Sequence, residues 1–105
     1  IYIYIMPRIK IVKSTAKNKK YTALIKYNDE QKKPVIRHFG DSRYTDYTLS
    51  GDKEKRKSYR ARHDKEKNQS FDTPGALSYW ILWGDSTSIN KNIADFKKRY
   101  NLKSL

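Results

Sequence analysis

The apolar residues of this chain change their spacing partway along it. Up to about Phe39 they alternate with polar residues, and beyond Gly40 they recur every three or four positions. A period of two builds strands and a period near 3.6 builds helices. The chain is therefore expected to be α+β: a small antiparallel sheet, a hairpin plus one strand, followed by about three helices. The expected strands are Ile9–Val12, Tyr21–Tyr27 and Pro34–Phe39, all rich in β-branched and aromatic residues. Tyr21, Ala23, Ile25 and Tyr27 would share one sheet face, with Thr22, Leu24 and Lys26 on the other. Pro34 sits at a strand start, where a missing N–H is tolerated.

The helical half has its own punctuation. Ser50 is read as an N-cap, with Asp52 and Glu54 in the first turn, opening a helix that runs to about Lys67. Thr73-Pro74 is a cap followed by proline at the first helical position, and Gly84 is the expected stop. Asp85 to Ser88 offers caps for a third helix, in which Ile89, Ile93, Phe96 and Tyr100 form an amphipathic stripe. Trp80, Trp83, Phe96, Ile89 and Ile93 are the expected core of this half, Trp83 lying off the main stripe. Residues 6–105 read as a single small domain, with Ile1–Ile5 either an upstream extension before a natural start at Met6 or an N-terminal strand.

Charge is the second constraint. Twenty-four Lys and Arg stand against eleven Asp and Glu, a net +13 on 105 residues. Folding concentrates that charge, and a polyanion relieves the repulsion, so nucleic acid is the first expected partner. The surplus is uneven: from Asn68 to Leu105 there are five Lys and Arg against three Asp. Two segments carry it. Lys53, Arg56, Lys57, Arg60 and Lys67 would fall on one broad helix face able to track phosphates; the alternative is a solvated face laced with i,i+4 pairs such as Arg60 with Asp64. Lys17, Lys19 and Lys20 form a basic loop, with Arg37 nearby on the expected sheet. If about six to eight phosphates were neutralised, affinity would fall by orders of magnitude from low to moderate salt. Tyr44, Tyr47 and Tyr59 lie among these cations, placed either to stack on unpaired bases or to bury their rings in a small core.

Other chemistry has little support. There is no cysteine and only two histidines, which argues against a structural zinc site. Phosphate-binding glycine loops, nucleophile elbows and dinucleotide fingerprints are missing. A nuclease built on His38 and Asp41 is the one catalytic alternative, and His63-Asp64 adjacency on a helix points those side chains apart. The expectation is a non-enzymatic protein with no cofactor, no metal and no small-molecule substrate. No apolar run approaches a membrane span, and no signal-peptide pattern marks it for secretion.

Several blocks carry a resemblance: Met6-Pro-Arg-Ile-Lys10, His38-Phe-Gly40, Tyr44-Thr-Asp-Tyr-Thr48, Asp52-Lys-Glu-Lys-Arg56, Tyr59-Arg-Ala-Arg-His63, Pro74-Gly-Ala-Leu-Ser-Tyr-Trp-Ile-Leu-Trp83 and Ile93-Ala-Asp-Phe-Lys-Lys-Arg-Tyr100. Together they resemble small basic proteins encoded by large nucleocytoplasmic DNA viruses of the phycodnavirus and mimivirus kind. Members often carry Trp in the loop before the second helix, where this chain has Phe71, and Ile1–Ile5 has no counterpart. The resemblance implies a viral origin, a place in the virion and the infected host cell (nucleus or viral factory), and no catalytic residues. The expected function is sequence-tolerant nucleic-acid binding, DNA rather than RNA, that helps neutralise or package a genome. The alternative is a minor capsid or capsid-lining protein whose basic faces meet acidic surfaces of coat proteins.

Overall fold

The structure, a computed structural model, describes residues 6–105; both expectations for Ile1–Ile5 lie outside them. Four strands form one sheet in the order β3-β2-β1-β4. β1 (Arg8–Lys13), β2 (Lys19–Lys26) and β3 (Val35–Asp41) are antiparallel neighbours, as the alternation predicts. The helices follow: α1 (Tyr47–Ser50), α2 (Lys53–Arg62), a 3-10 turn over Asp64–Asn68, α3 (Pro74–Leu77) continuing as a π-helical turn over Ser78–Leu82, and α4 (Ile89–Tyr100). The fold is α+β with a mixed sheet.

One sheet face carries Ile9, Ala23, Ile25 and Phe39, all at most 1% exposed. Against it pack Leu77, Ile81, Leu82, Trp83 and Phe96 from the helical half. The expected core residues Trp83 and Phe96 are buried; Trp80, Ile89 and Ile93 are half-buried at its margin. On the opposite face, the register sets Lys10, Leu24 and Ile36 in one row and Val12, Thr22 and His38 in the next. Ile36 is 53% exposed there. Gly40, with φ of +77°, ends this pattern: a Cβ would lie 2.7 Å from the Leu82 side chain, so β3 approaches the π turn more closely than any L side chain permits.

Three boundaries differ from expectation. Ser50 closes α1 rather than capping the next helix. Asp52 caps α2 instead, accepting from the backbone N–H of Glu54 and Lys55, because Gly51 in the left-handed region breaks the chain between them. That helix ends at Arg62, so Lys67 sits on the 3-10 turn, off the predicted row. The fourth strand, Lys103–Ser104, pairs parallel to β1.

The loop after Asn68 is tied to the sheet. Tyr27 Oη donates to Asp72 Oδ2 at 2.6 Å, and Arg37 Nε donates to the Asp72 carbonyl at 3.2 Å. The Tyr27 hydroxyl and then Ser70 hold the Asp72 carboxyl below the usual range, while burial and then Asp72 push Tyr27 up to about 12. A depressed carboxylate stabilises the fold above its unfolded pKa of about 4, and that contribution is lost as pH falls through the folded value. Tyr27→Phe is therefore expected to cost about 1 kcal/mol at pH 7 and less at pH 2, measured by urea unfolding at both. An equal cost at both pH values would show that the bond is not to an ionised carboxylate.

Candidate nucleic-acid interface

The two basic segments expected from the sequence lie on either side of the end of β3. The Asn18 carbonyl accepts from the Ser42 N–H at 3.1 Å, and Lys19 lies opposite Asp41 in the sheet register. The loop carrying Lys17, and Lys19 at the start of β2, are thereby fixed against the end of β3. Across from that strand end runs α2, and between them lies a half-open groove of about 700 Å³. Gly40, Asp41, Tyr44 and Thr45 form one wall; Glu54, Lys55, Ser58, Tyr59 and Arg62 form the other; Trp83 and Leu82 form the floor.

Stacked rings shape that floor. Tyr59 lies parallel to Trp83, 4.3 Å away at 6°, and His63 covers its other face at 4.1 Å. Burial and then the Glu66 charge push the Tyr59 hydroxyl up to about 12, so it stays protonated. Tyr44, in contrast, is 70% exposed. Its neighbour Asp41 is clamped by Arg43 through both carboxylate oxygens, at 3.0 and 2.8 Å, and by the Arg43 N–H. The Arg43 clamp holds Asp41 down at about 2, so that carboxylate and Arg43 cancel. Lys55 and Arg62 face no carboxylate within ion-pair distance among the described residues; nor does Glu54 face a cation.

The expected phosphate row divides. Lys53 and Lys57 remain exposed on the side of α2 away from the groove. Arg56 and Arg60 turn inward. The last carbonyls of a helix have no intrahelical donor, and the turn after the π segment leaves two that these arginines satisfy: Arg60 Nε donates to the Trp83 carbonyl at 2.9 Å and Arg56 Nε to the Gly84 carbonyl at 2.7 Å. Both guanidinium groups also pair with Asp85, not with Asp64. Burial and then the Arg56 charge lower the Arg60 pKa from its ordinary value, the sign of an interior cation. Cations at a helix C-terminus also oppose its dipole favourably. Lys67 pairs with Asp64, Lys20 is buried against Asp46, and Arg37 serves the Asp72 loop.

Of the cations singled out in the sequence, Lys19 thus lies beside the groove wall, opposite Asp41, with Lys17 on the adjoining loop. Tyr44, named among the tyrosines that could stack on bases, lines the groove; Lys55 and Arg62 were missed, although helical spacing from Tyr59 would have found them: positions 55, 58, 59 and 62 share one face. Tyr47 is buried and Tyr59 largely so, as the core alternative for the tyrosines requires. His38 and Asp41 are not joined. His38 Nδ1 lies 2.7 Å from Thr22 Oγ1 and 3.2 Å from Ser14 Oγ on the open sheet face, while Asp41 is held by Arg43 at the groove.

A family model covers residues 9–63, just over half of the chain, under the description of a family of unknown function, DUF5754. The chain belongs to the DUF5754 family. The DUF5754 span contains the sheet through β3, α1 and α2, hence both walls of the groove, and leaves out its floor at Leu82 and Trp83. No curated protein and no solved structure matches the chain.

Proposed function

We propose that this protein binds nucleic acid through its phosphates, with little sequence preference and without catalysis. The observation that carries the reading is a groove lined by Lys55 and Arg62 with a second basic segment beside its wall, Lys19 opposite Asp41 and Lys17 on the adjoining loop, none of the four in an ion pair among the described residues. Only seven of the twenty-four Lys and Arg are in ion pairs there, so most of the surplus is surface charge. The resemblance to giant-virus proteins supports a virion-associated role in neutralising or packaging a genome, with DNA as the polymer. No helix among the described residues is long and apolar enough to cross a membrane.

With about four phosphate contacts instead of six to eight, the slope of log affinity against log salt is expected at about −2.8 on a single strand, roughly fiftyfold weakening between about 50 and 200 mM, and at about −3.6 on a duplex, roughly 150-fold. Titration of mixed-sequence oligonucleotides by fluorescence anisotropy measures it. Charge reversal at Lys17 with Lys19, or at Arg62, should flatten the slope; reversal at Lys53 with Lys57 should change it less. No binding at low salt sinks the proposal.

A second reading rests on the open sheet face. Ile36, exposed beside Leu24 and Lys10, is the kind of apolar centre with a basic rim that suits a protein partner. It supports a minor capsid or capsid-lining role against acidic coat surfaces, and gentle disruption of particles would separate the two readings by whether the protein leaves with shell or genome.

A further inference from the structure

The groove has a feature that phosphate binding does not require: a large aromatic ring held open at its rim. Tyr44 takes part in none of the ring stacks among the described residues, and its side chain has no hydrogen bond there. Its backbone is nevertheless fixed, the N–H donating to the Asp41 carbonyl at 3.2 Å. Opposite, the Trp83–Tyr59–His63 stack presents an outer imidazole face whose side chain is 36% exposed. We propose that the groove takes an unpaired nucleobase stacked on Tyr44, from a single strand whose flanking phosphates lie on Lys55 and Arg62.

This rests on the nucleic-acid reading above and adds the strand state. In a duplex each base is stacked on both sides, so its ring faces are not available to a protein platform. An unpaired base offers a face of any sequence to an aromatic ring. The groove's volume of about 700 Å³ is in the range of small-ligand sites, enough for a base and too small for a duplex to enter. Charge favours the same placement. Asp41 is cancelled by Arg43, which leaves Lys55 and Arg62 against Glu54 alone along the walls. Lys19, opposite Asp41 at the groove wall, and Lys17 on the loop before it add cations outside the groove itself, which argues for a polymer over a free nucleotide.

The test compares Tyr44→Ala with the unaltered protein on an unstructured single strand, a hairpin duplex of equal charge and a nucleoside monophosphate, by anisotropy or competition. Tyr44 is exposed, so its loss should leave thermal unfolding unchanged. The expected result is about tenfold or greater weakening for the single strand, little change for the duplex, and monophosphate binding far weaker than either. Equal effects on single strand and duplex, or none on either, overturn the stacking proposal while leaving phosphate binding intact. A monophosphate that binds as tightly as the strand overturns it in favour of a nucleotide site. Failure of the unaltered protein to bind any polymer at low salt removes the broader reading as well.

Discussion

Lys20→Met is expected to lower the unfolding free energy by about 3 kcal/mol, and Asp46→Ala by about 4 to 5 kcal/mol. The pair is one of the least exposed ionic contacts in the molecule: Lys20 Nζ lies 2.5 Å from Asp46 Oδ2, with side chains 11% and 2% exposed. Burying two charges costs several kcal/mol each, and their attraction roughly offsets it. Removing one partner leaves the other's desolvation without compensation, which is why the single substitutions are severe although the intact pair contributes little. The two residues are not equivalent. Asp46 Oδ1 also accepts from the Thr48 and Leu49 N–H groups as N-cap of α1, and from the Thr48 hydroxyl. Without Lys20 the carboxylate keeps those donors; without Asp46 the ammonium and the helix start both lose their acceptor. The double substitution Lys20→Met/Asp46→Ala should therefore be less destabilising than the sum. Urea unfolding measures all three. Lys20 belongs to the loop expected from sequence to grip phosphate, so the same variants decide its role. A Lys20→Met protein with unchanged stability and weakened nucleic-acid binding would show that the lysine serves the ligand instead of the fold.

The sequence carried the element types well and the side-chain directions poorly. Alternation in β1–β3 and the Thr73-Pro74 cap are local patterns, each expressed within one element, and they predict the observed strands and the start of α3. β4 has no such pattern. It exists because Asn101 adopts a left-handed conformation after α4, the Leu102 N–H returns to the Lys97 carbonyl, and buried Leu102 steers the chain along β1. The π turn is equally tertiary, formed where Gly40 brings β3 against Leu82. The candidate site shows the same division. Counting along α2 correctly placed Arg56 and Arg60 on one face, but that face looks inward because two helix-end carbonyls there need donors. Arginine at such a position reads identically to arginine awaiting a phosphate until the other end of the hydrogen bond is known.

Asn92→Ala is expected to cost about 3 kcal/mol, because Asn92 holds the turn on which the groove floor rests. It is 1% exposed on α4. Its Nδ2 donates to the Ile81 carbonyl at 2.9 Å and the Ser86 carbonyl at 2.7 Å, and its Oδ1 accepts from the Ser86 N–H at 3.1 Å. Alanine would leave the Ile81 carbonyl buried without a donor, a penalty of about 1 to 3 kcal/mol, with smaller losses at Ser86 where water has access. Gly84 allows this close approach: a Cβ there would lie 2.3 Å from the Trp80 carbonyl and 2.8 Å from Asn92 Cγ. Asn92→Asp makes the sharper test. It keeps shape and the acceptor toward Ser86 N–H but turns an oxygen toward two carbonyls, which raises the introduced carboxyl's pKa above its unfolded value. By linkage its deficit should be smaller below about pH 4 and grow as pH rises toward neutrality. A pH-independent deficit, or an alanine variant within 1 kcal/mol of the unaltered protein, would mean that water replaces the amide and that the arginine caps alone hold the turn. If the clasp does hold it, near-UV circular dichroism of the Trp83–Tyr59 stack should weaken in Asn92→Ala below the unfolding transition, since Trp83 lies between the carbonyls that Asn92 and Arg56 secure.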